Sequence, residues 1–274
     1  MEFLFDLEDP LQCLERIYLQ LSPLVVSLHP ERPDGKCGPC FGNGMLLKYR
    51  DECFLITTEA VLSQYSIQHR QQAFAMQGKR RLPLYGLPYA AAQHMEAAAI
   101  HLPADWLAKH PLQNCFELSA GPTPDPLASA FTLLLGMPVI GPRPACAPSG
   151  PIGIVSRAYR CHTRGSQVVQ PWHVEFDSQD IISRSHLDKH TLLTRYQMPG
   201  APAISLYHSF KQDGNRLTAY MQGLVMEWDH NGAGAVLCGA ISLTVFLDSF
   251  LQRLRQGEPS VPELLAELLN RHFH

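Results

Sequence analysis

No stretch of the chain reaches the roughly 18 consecutive apolar residues of a membrane-spanning helix, and the apolar run from Val236 to Phe250 is interrupted by Ser242, Thr244 and Asp248. No membrane partner is expected. Charge of either sign is scarce: charged residues are 17% of the chain, and 22 basic against 25 acidic side chains leave a formal net charge of −3. Without a global field to attract a polyanion, nucleic acid is excluded as an expected partner. The opening Met1-Glu2-Phe3-Leu4-Phe5-Asp6-Leu7-Glu8-Asp9 has acids where an export signal needs bases, and no long apolar core. A cytoplasmic location follows as the expectation. Internal sequence repeats are absent.

Paired cysteine motifs are also few. Eight cysteines (Cys13, Cys37, Cys40, Cys53, Cys115, Cys146, Cys161 and Cys238) are scattered, which in a cytosolic protein reads as thiols rather than a disulfide framework. Cys37-Gly38-Pro39-Cys40 matches a redox dithiol letter for letter. That chemistry requires the first cysteine at a helix N-terminus, whereas Pro33-Asp34-Gly35-Lys36 before it and Phe41-Gly42-Asn43-Gly44 after it read as loop. As half of a zinc site, Cys37 and Cys40 lack a second Cys-x-x-Cys or a His-x3-His. The 13 histidines are dispersed, and no cofactor is expected.

What is present is a folded, apolar chain: 274 residues, 46% hydrophobic, enough for one large core or two smaller ones. Asp9 as N-cap, Pro10 at the first helical position and the spaced leucines after it predict a short leading helix to Leu21. Ser22 to Leu28, Met45 to Tyr49, Cys53 to Thr57, Phe131 to Met137, Ile152 to Ser156, Val168 to Phe176, Ile181 to Arg184, Ala203 to Tyr207 and Leu217 to Trp228 read as strands. Pro/Gly-rich segments separate them, with turns at Lys211 to Asn215 and Asp229 to Gly234. Lys79-Arg80-Arg81 reads as a solvated hairpin turn, and the proline-rich 104–130 as a connector, with a boundary near Gly121. Val236 to Leu254 starts as strand and finishes as helix, because Phe246, Leu247, Phe250, Leu251 and Leu254 recur at helical spacing. Ser260-Val261-Pro262-Glu263 is a capping box opening a second terminal helix through Phe273.

Three segments stand in a telling order. Cys53-Phe54-Leu55-Ile56-Thr57-Thr58-Glu59-Ala60-Val61-Leu62 is a strand and turn, Glu96-Ala97-Ala98-Ala99-Ile100-His101-Leu102 a strand led by a carboxylate, and Gln197-Met198-Pro199-Gly200-Ala201-Pro202 a tight turn entering a strand. Together they resemble the catalytic segments of the trypsin-like (chymotrypsin-fold) serine proteases, in the intracellular bacterial branch. The resemblance places Ala60 at the histidine, Glu96 at the aspartate and Pro199 at the serine, with Gln197, Met198 and Gly200 in the oxyanion loop. Alanine accepts no proton and proline offers no nucleophilic atom and no N–H. The resemblance therefore implies an all-β fold of two antiparallel β-barrels with a short N-terminal helix and one or two C-terminal helices. The expected division is 1–120 for the helix and first barrel, 121–245 for the second barrel and 246–274 for a helical segment packed on it.

The functional expectation is a catalytically inactive pseudoprotease, not an enzyme, that binds a protein partner or extended peptide. The strand bearing Met226, Glu227 and Trp228 is the candidate peptide edge, because pairing along a strand needs no catalytic group. The terminal helices are the other candidate surface. One alternative is a serine hydrolase with a relocated nucleophile at Ser205 or Ser209 beside His208. Strand alternation argues against it, since Ser205 should be carried on the strand beyond the turn. The second alternative is redox or metal chemistry at Cys37 and Cys40.

Overall fold

The computed structural model describes residues 2–4, 10–68, 73–92, 96–119, 124–140, 151–156, 158–161, 172–177, 179, 181–182, 196–209, 216–228 and 234–257. The expected turns at 211–215 and 229–233, the boundary at Gly121 and the helix from Ser260 lie outside these residues, as does Cys146.

Two sheets make up about half of the described residues. The first contains β2 (Val25–Pro30), β3 (Gly42–Tyr49), β4 (Glu52–Thr58), β5 (Ala73–Gln77), β6 (Arg80–Pro83), β7 (Tyr89–Ala92) and β8 (Ala97–Leu102), in the order β6-β5-β2-β3-β4-β8-β7. β9 (Phe116–Leu118) joins β3 in parallel, with Leu47 opposite Phe116. The second contains β10 (Phe131–Gly136), β12 (Ile152–Ser156), β13 (Ala158–Cys161), β14 (Trp172–Glu175), β15 (Ile181–Ile182), β17 (Pro202–Ser209), β18 (Arg216–Trp228) and β19 (Gly234–Gly239). Its order is β13-β14-β19-β18-β17-β10-β12-β15. β1 (Glu2–Leu4) also belongs to this sheet, pairing with Arg216 to Thr218 of β18. β11 (Val139–Ile140) and β16 (Tyr196–Gln197) form a separate ribbon.

Among the described residues, four α-helices flank the sheets: α1 (Pro10–Leu21), α2 (Glu59–Gln68), α3 (Ala104–Lys109) and α4 (Ala240–Gln256). On α1, Cys13, Ile17, Tyr18 and Leu21 are buried; on α4, Leu243, Phe246, Leu247, Phe250 and Leu251 are buried. Each set falls on one helical face. Both faces enter a single apolar cluster with Met45, Leu47 and Phe54 of the first sheet and Leu133, Ile204 and Leu224 of the second. The architecture is all-β, of the chymotrypsin-like two-barrel type expected, with helices at its N- and C-terminal ends.

Local departures from the sequence reading have physical causes. Ser22–Leu24 forms a 3-10 turn, with Pro23 holding its first turn, so the strand starts at Val25. The connector 104–130 contains α3 and β9: Asp105 favours a helix start, and Phe116 turns inward between exposed or half-buried neighbours. The basic cluster forms a solvated hairpin as read, and the exposed Arg81 also pairs across its surface. Its guanidinium lies 4.0 Å over the Phe74 ring and 2.5 Å from the Glu31 carboxylate.

Candidate functional site

The three segments singled out in the sequence meet where the two sheets adjoin. Met198 to Ala201 form a tight turn, with the Ala201 N–H donating to the Met198 carbonyl at 3.1 Å. Pro199 pre-sets the second residue, and Gly200, at φ +75°, takes the left-handed third position. The turn is hydrogen-bonded on both sides. Asn43 of β3 donates its N–H to the Pro199 carbonyl at 2.8 Å, and the Gly200 N–H donates to Val225 of β18 at 2.9 Å. Val225 in turn donates to Ala201 at 2.8 Å.

Asn43 is the principal tie between the halves. Fully buried, it presents an amide to the Met137 backbone: its Oδ1 accepts from the Met137 N–H at 2.6 Å and its Nδ2 donates to the Met137 carbonyl at 3.0 Å. The buried Thr57 hydroxyl donates to the Asn43 carbonyl at 2.6 Å. A Cβ on Gly200 would lie 2.3 Å from that carbonyl oxygen and 2.4 Å from Thr57 Oγ1, so only glycine fits. Asn43 and Thr57 were not singled out in the sequence. The available signal was an asparagine between two glycines at the head of an apolar strand, a residue that must be partnered when buried.

Thr57 is the penultimate residue of β4, two before the start of α2, which presents Ala60 exposed on its first turn. The Glu59 N–H donates to the Glu96 carbonyl at 3.2 Å, setting the Glu96 segment beside Ala60. Glu96 is half-buried, with φ +52°. Its carboxylate is felt across the junction: burial first, and Glu96 second, push the Cys238 thiol of β19 up to about 12. Gln197 is exposed on β16, Met198 buried, and Pro199 half-buried. Ala60 and Pro199 carry no titratable or nucleophilic atom, and the Gly200 N–H is committed to Val225.

β18 outruns its neighbour here. The β17 ladder ends at Pro202 opposite Leu224, while the β19 ladder continues to Trp228 opposite Ala235, with a bulge between Val225 and Glu227. Among the described residues, no strand is laddered to the β17 side of Met226 or Trp228. The Trp228 ring packs against Phe176 at 5.0 Å, and its indole nitrogen is buried with no hydrogen-bond partner among the described residues.

Among the described residues neither alternative chemistry is assembled; the Ser209 side chain lies outside them. Ser205 is fully buried on β17 and hydrogen-bonded to the Thr132 hydroxyl, as strand alternation required; His208 is exposed at the far end of the strand. Cys37 is exposed and Cys40 half-buried in the loop between β2 and β3, and both thiols are free. Burial pushes Cys40 up to about 11 and also raises Cys37, the reverse of what a redox dithiol needs. Among the described residues, no group of three or more His, Cys, Asp or Glu side chains could hold a metal ion. No helix among them is long and apolar enough to cross a membrane.

No family model and no curated protein matches the sequence. Solved structures similar to the chain include the Rv3671c protease in an inactive form, at 12% identity over 88% of this chain and 95% of that one, TM-score 0.47. Deg5 is similar at 11% identity over 88% and 94%, TM-score 0.47. The tobacco vein mottling virus protease is similar at 10% identity over 81% and 79%, TM-score 0.44. The expectation that the chain is not an enzyme is not kept, since two of the structures similar to it are named as proteases. That expectation rested on two side chains, and Ala60 and Pro199 define what those two positions lack rather than what the whole protein does.

Proposed function

We propose that the protein binds an extended polypeptide at the junction of its two sheets, with the end of β18 at Met226–Trp228 as the template strand. The observation that carries this is the unequal length of the two ladders: β18 continues past the end of β17 beside the Met198–Ala201 turn. A strand edge with backbone donors and acceptors but no laddered neighbour accepts an incoming strand through main-chain hydrogen bonds. Pockets beneath alternate residues of that strand then select side chains. Trp228 lies at this end of β18, its ring packed on Phe176. The partner is a protein segment presented in extended form.

The test is a library of extended peptides screened against the full chain, with Trp228 fluorescence as the readout. The best binder is then resynthesised with single backbone N-methyl groups. Strand addition predicts that N-methylation at alternate positions abolishes binding and that the intervening positions tolerate it. Uniform tolerance would sink strand addition, and absence of any binder would sink the site. Mass analysis of the bound peptide reports in the same experiment whether it is cleaved.

A further inference from the structure

One pair of side chains has chemistry the proposed function does not use. Ser27 and His29 stand two residues apart on β2, so they share one face of the strand with Val25, which enters the apolar cluster common to both sheets. The Ser27 hydroxyl lies 2.8 Å from His29 Nε2, and His29 Nδ1 lies 3.0 Å from the Gly38 carbonyl oxygen. A carbonyl only accepts, so Nδ1 carries the hydrogen of the neutral ring and Nε2 is bare. Ser27 therefore donates its hydroxyl hydrogen to Nε2. A hydroxyl, a base that receives its hydrogen and a third group that fixes the base are the parts of an activated nucleophile.

The orienting carbonyl comes from the Cys37-Gly38-Pro39-Cys40 motif. The Gly38 N–H donates to the Pro30 carbonyl at 2.9 Å, and a Cβ at Gly38 would lie 2.6 Å from Pro30 Cγ and 2.9 Å from that oxygen. Only glycine brings this carbonyl so close to β2. The Phe41 N–H donates to Leu28 at 3.0 Å and closes the loop onto the strand, while the Cys37 thiol donates to the Gly38 carbonyl at 3.3 Å. His29 also stacks on Phe74 of β5, with ring centroids 5.8 Å apart and planes 13° from parallel. Phe74 carries the Arg81 guanidinium, which pairs with Glu31. The imidazole is thus held at both nitrogens and along one face. Burial keeps it below its ordinary pKa, so the ring is neutral and able to take a proton near neutral pH.

We propose that Ser27 is an acyl-accepting nucleophile with His29 as its general base, and that its substrate is a small activated acyl donor, a thioester or aryl ester. The Ser27 oxygen attacks the carbonyl carbon while its hydrogen passes to His29 Nε2. The bond from that carbon to the leaving group then breaks, and the leaving group takes the proton from Nε2. An ester forms on Ser27, a thiol or phenol departs, and His29 returns to the neutral ring with no electron gained or lost. Ser27 is 5% exposed and His29 half-buried, so the acyl group must be small. An activated donor suits a serine carried on a strand, because its leaving group departs with less stabilisation of the charge that develops on the carbonyl oxygen.

The experiment treats the full chain with nitrophenyl acetate, quenches it in acid over a time course, and maps acetyl groups on its peptides after neutral hydroxylamine has stripped them from thiols. The expected result is acetyl on Ser27 ahead of every other serine, threonine or tyrosine. His29→Gln should slow that acetylation by about 100-fold or more. In the unaltered chain its rate should rise with pH as His29 loses its proton and level off above pH 6.5. Absence of acetyl on Ser27, a rate that climbs in proportion to hydroxide without levelling, or an unchanged rate in His29→Gln overturns the proposal. The map and pH profile of the unaltered chain decide the matter even where the variant fails to fold. They are read independently of peptide binding at β18.

Discussion

Asn43 and Pro199 are joined backbone to backbone at 2.8 Å, N–H to carbonyl, across the seam between the two sheets. The Asn43 side chain reinforces that seam by pairing with both backbone groups of Met137. Asn43→Ala should therefore destabilise the protein by about 2–4 kcal/mol, because it leaves a donor and an acceptor unsatisfied in a buried place. A urea melt with a lowered midpoint and unchanged slope is the expected readout. A change under half that size would mean that water replaces the amide.

Gly200→Ala should be worse than a glycine replacement elsewhere at the same backbone angle. Gly78 has φ +60° and open space around it, so Gly78→Ala should lose only about 1 kcal/mol from the left-handed conformation. At Gly200 the new methyl meets the Asn43 carbonyl at 2.3 Å, so the turn must move as well. A loss of about 3 kcal/mol or more, with weaker peptide binding, is expected. Equal losses at the two sites would show that the turn relaxes freely.

The face of α4 can be tested by a pair of truncations. Leu247 is fully buried in the cluster shared by both sheets, and Leu247→Ala should lose about 2–5 kcal/mol. Val245, two residues earlier and 55% exposed, should change stability by less than about 0.5 kcal/mol when made alanine. Thermal melts of the two variants compare them directly.

His29 makes folding stability depend on pH. Burial holds its folded pKa below the ordinary value, against the smaller opposing effect of the Gly38 carbonyl at 3.0 Å. In that window the unfolded chain binds the extra proton. Its contribution is therefore full above the unfolded value of 6.5 and is lost as pH falls from there through the folded value. The slope attributable to His29 cannot exceed one proton, about 1.4 kcal/mol per pH unit. His29→Gln should flatten the stability profile below pH 6.5, and an unchanged profile would remove His29 as its cause.

Helices α1 and α4 and the longer strands were legible because their signals are local; α2 and α3, short and inside segments read as turn and connector, were not. Phe246, Leu247, Phe250 and Leu251 mark one helical face in any context, and the structure buries all four. The Met198–Ala201 turn was legible from proline followed by glycine. Asn43 was not, because its role depends on Met137, far away in sequence, and no periodicity reports such a pairing. The parallel pairing of β9 with β3 was hidden for the same reason, since it lies in a segment that composition alone assigns to loop. Ala60 and Pro199 are legible as residues without acid, base or nucleophile. Activity is not legible from them, since side-chain identity at two points does not describe a whole site.

The pairing of β1 with β18 orders the assembly of the protein in time. Glu2 to Leu4 wait through the synthesis of everything between them and Arg216 to Thr218 before those residues exist to receive them. The second sheet therefore gains this pairing late, through a contact of very long sequence separation that closes slowly. Until then β1 is a short strand without its neighbour. Its brevity limits what it can wrongly join.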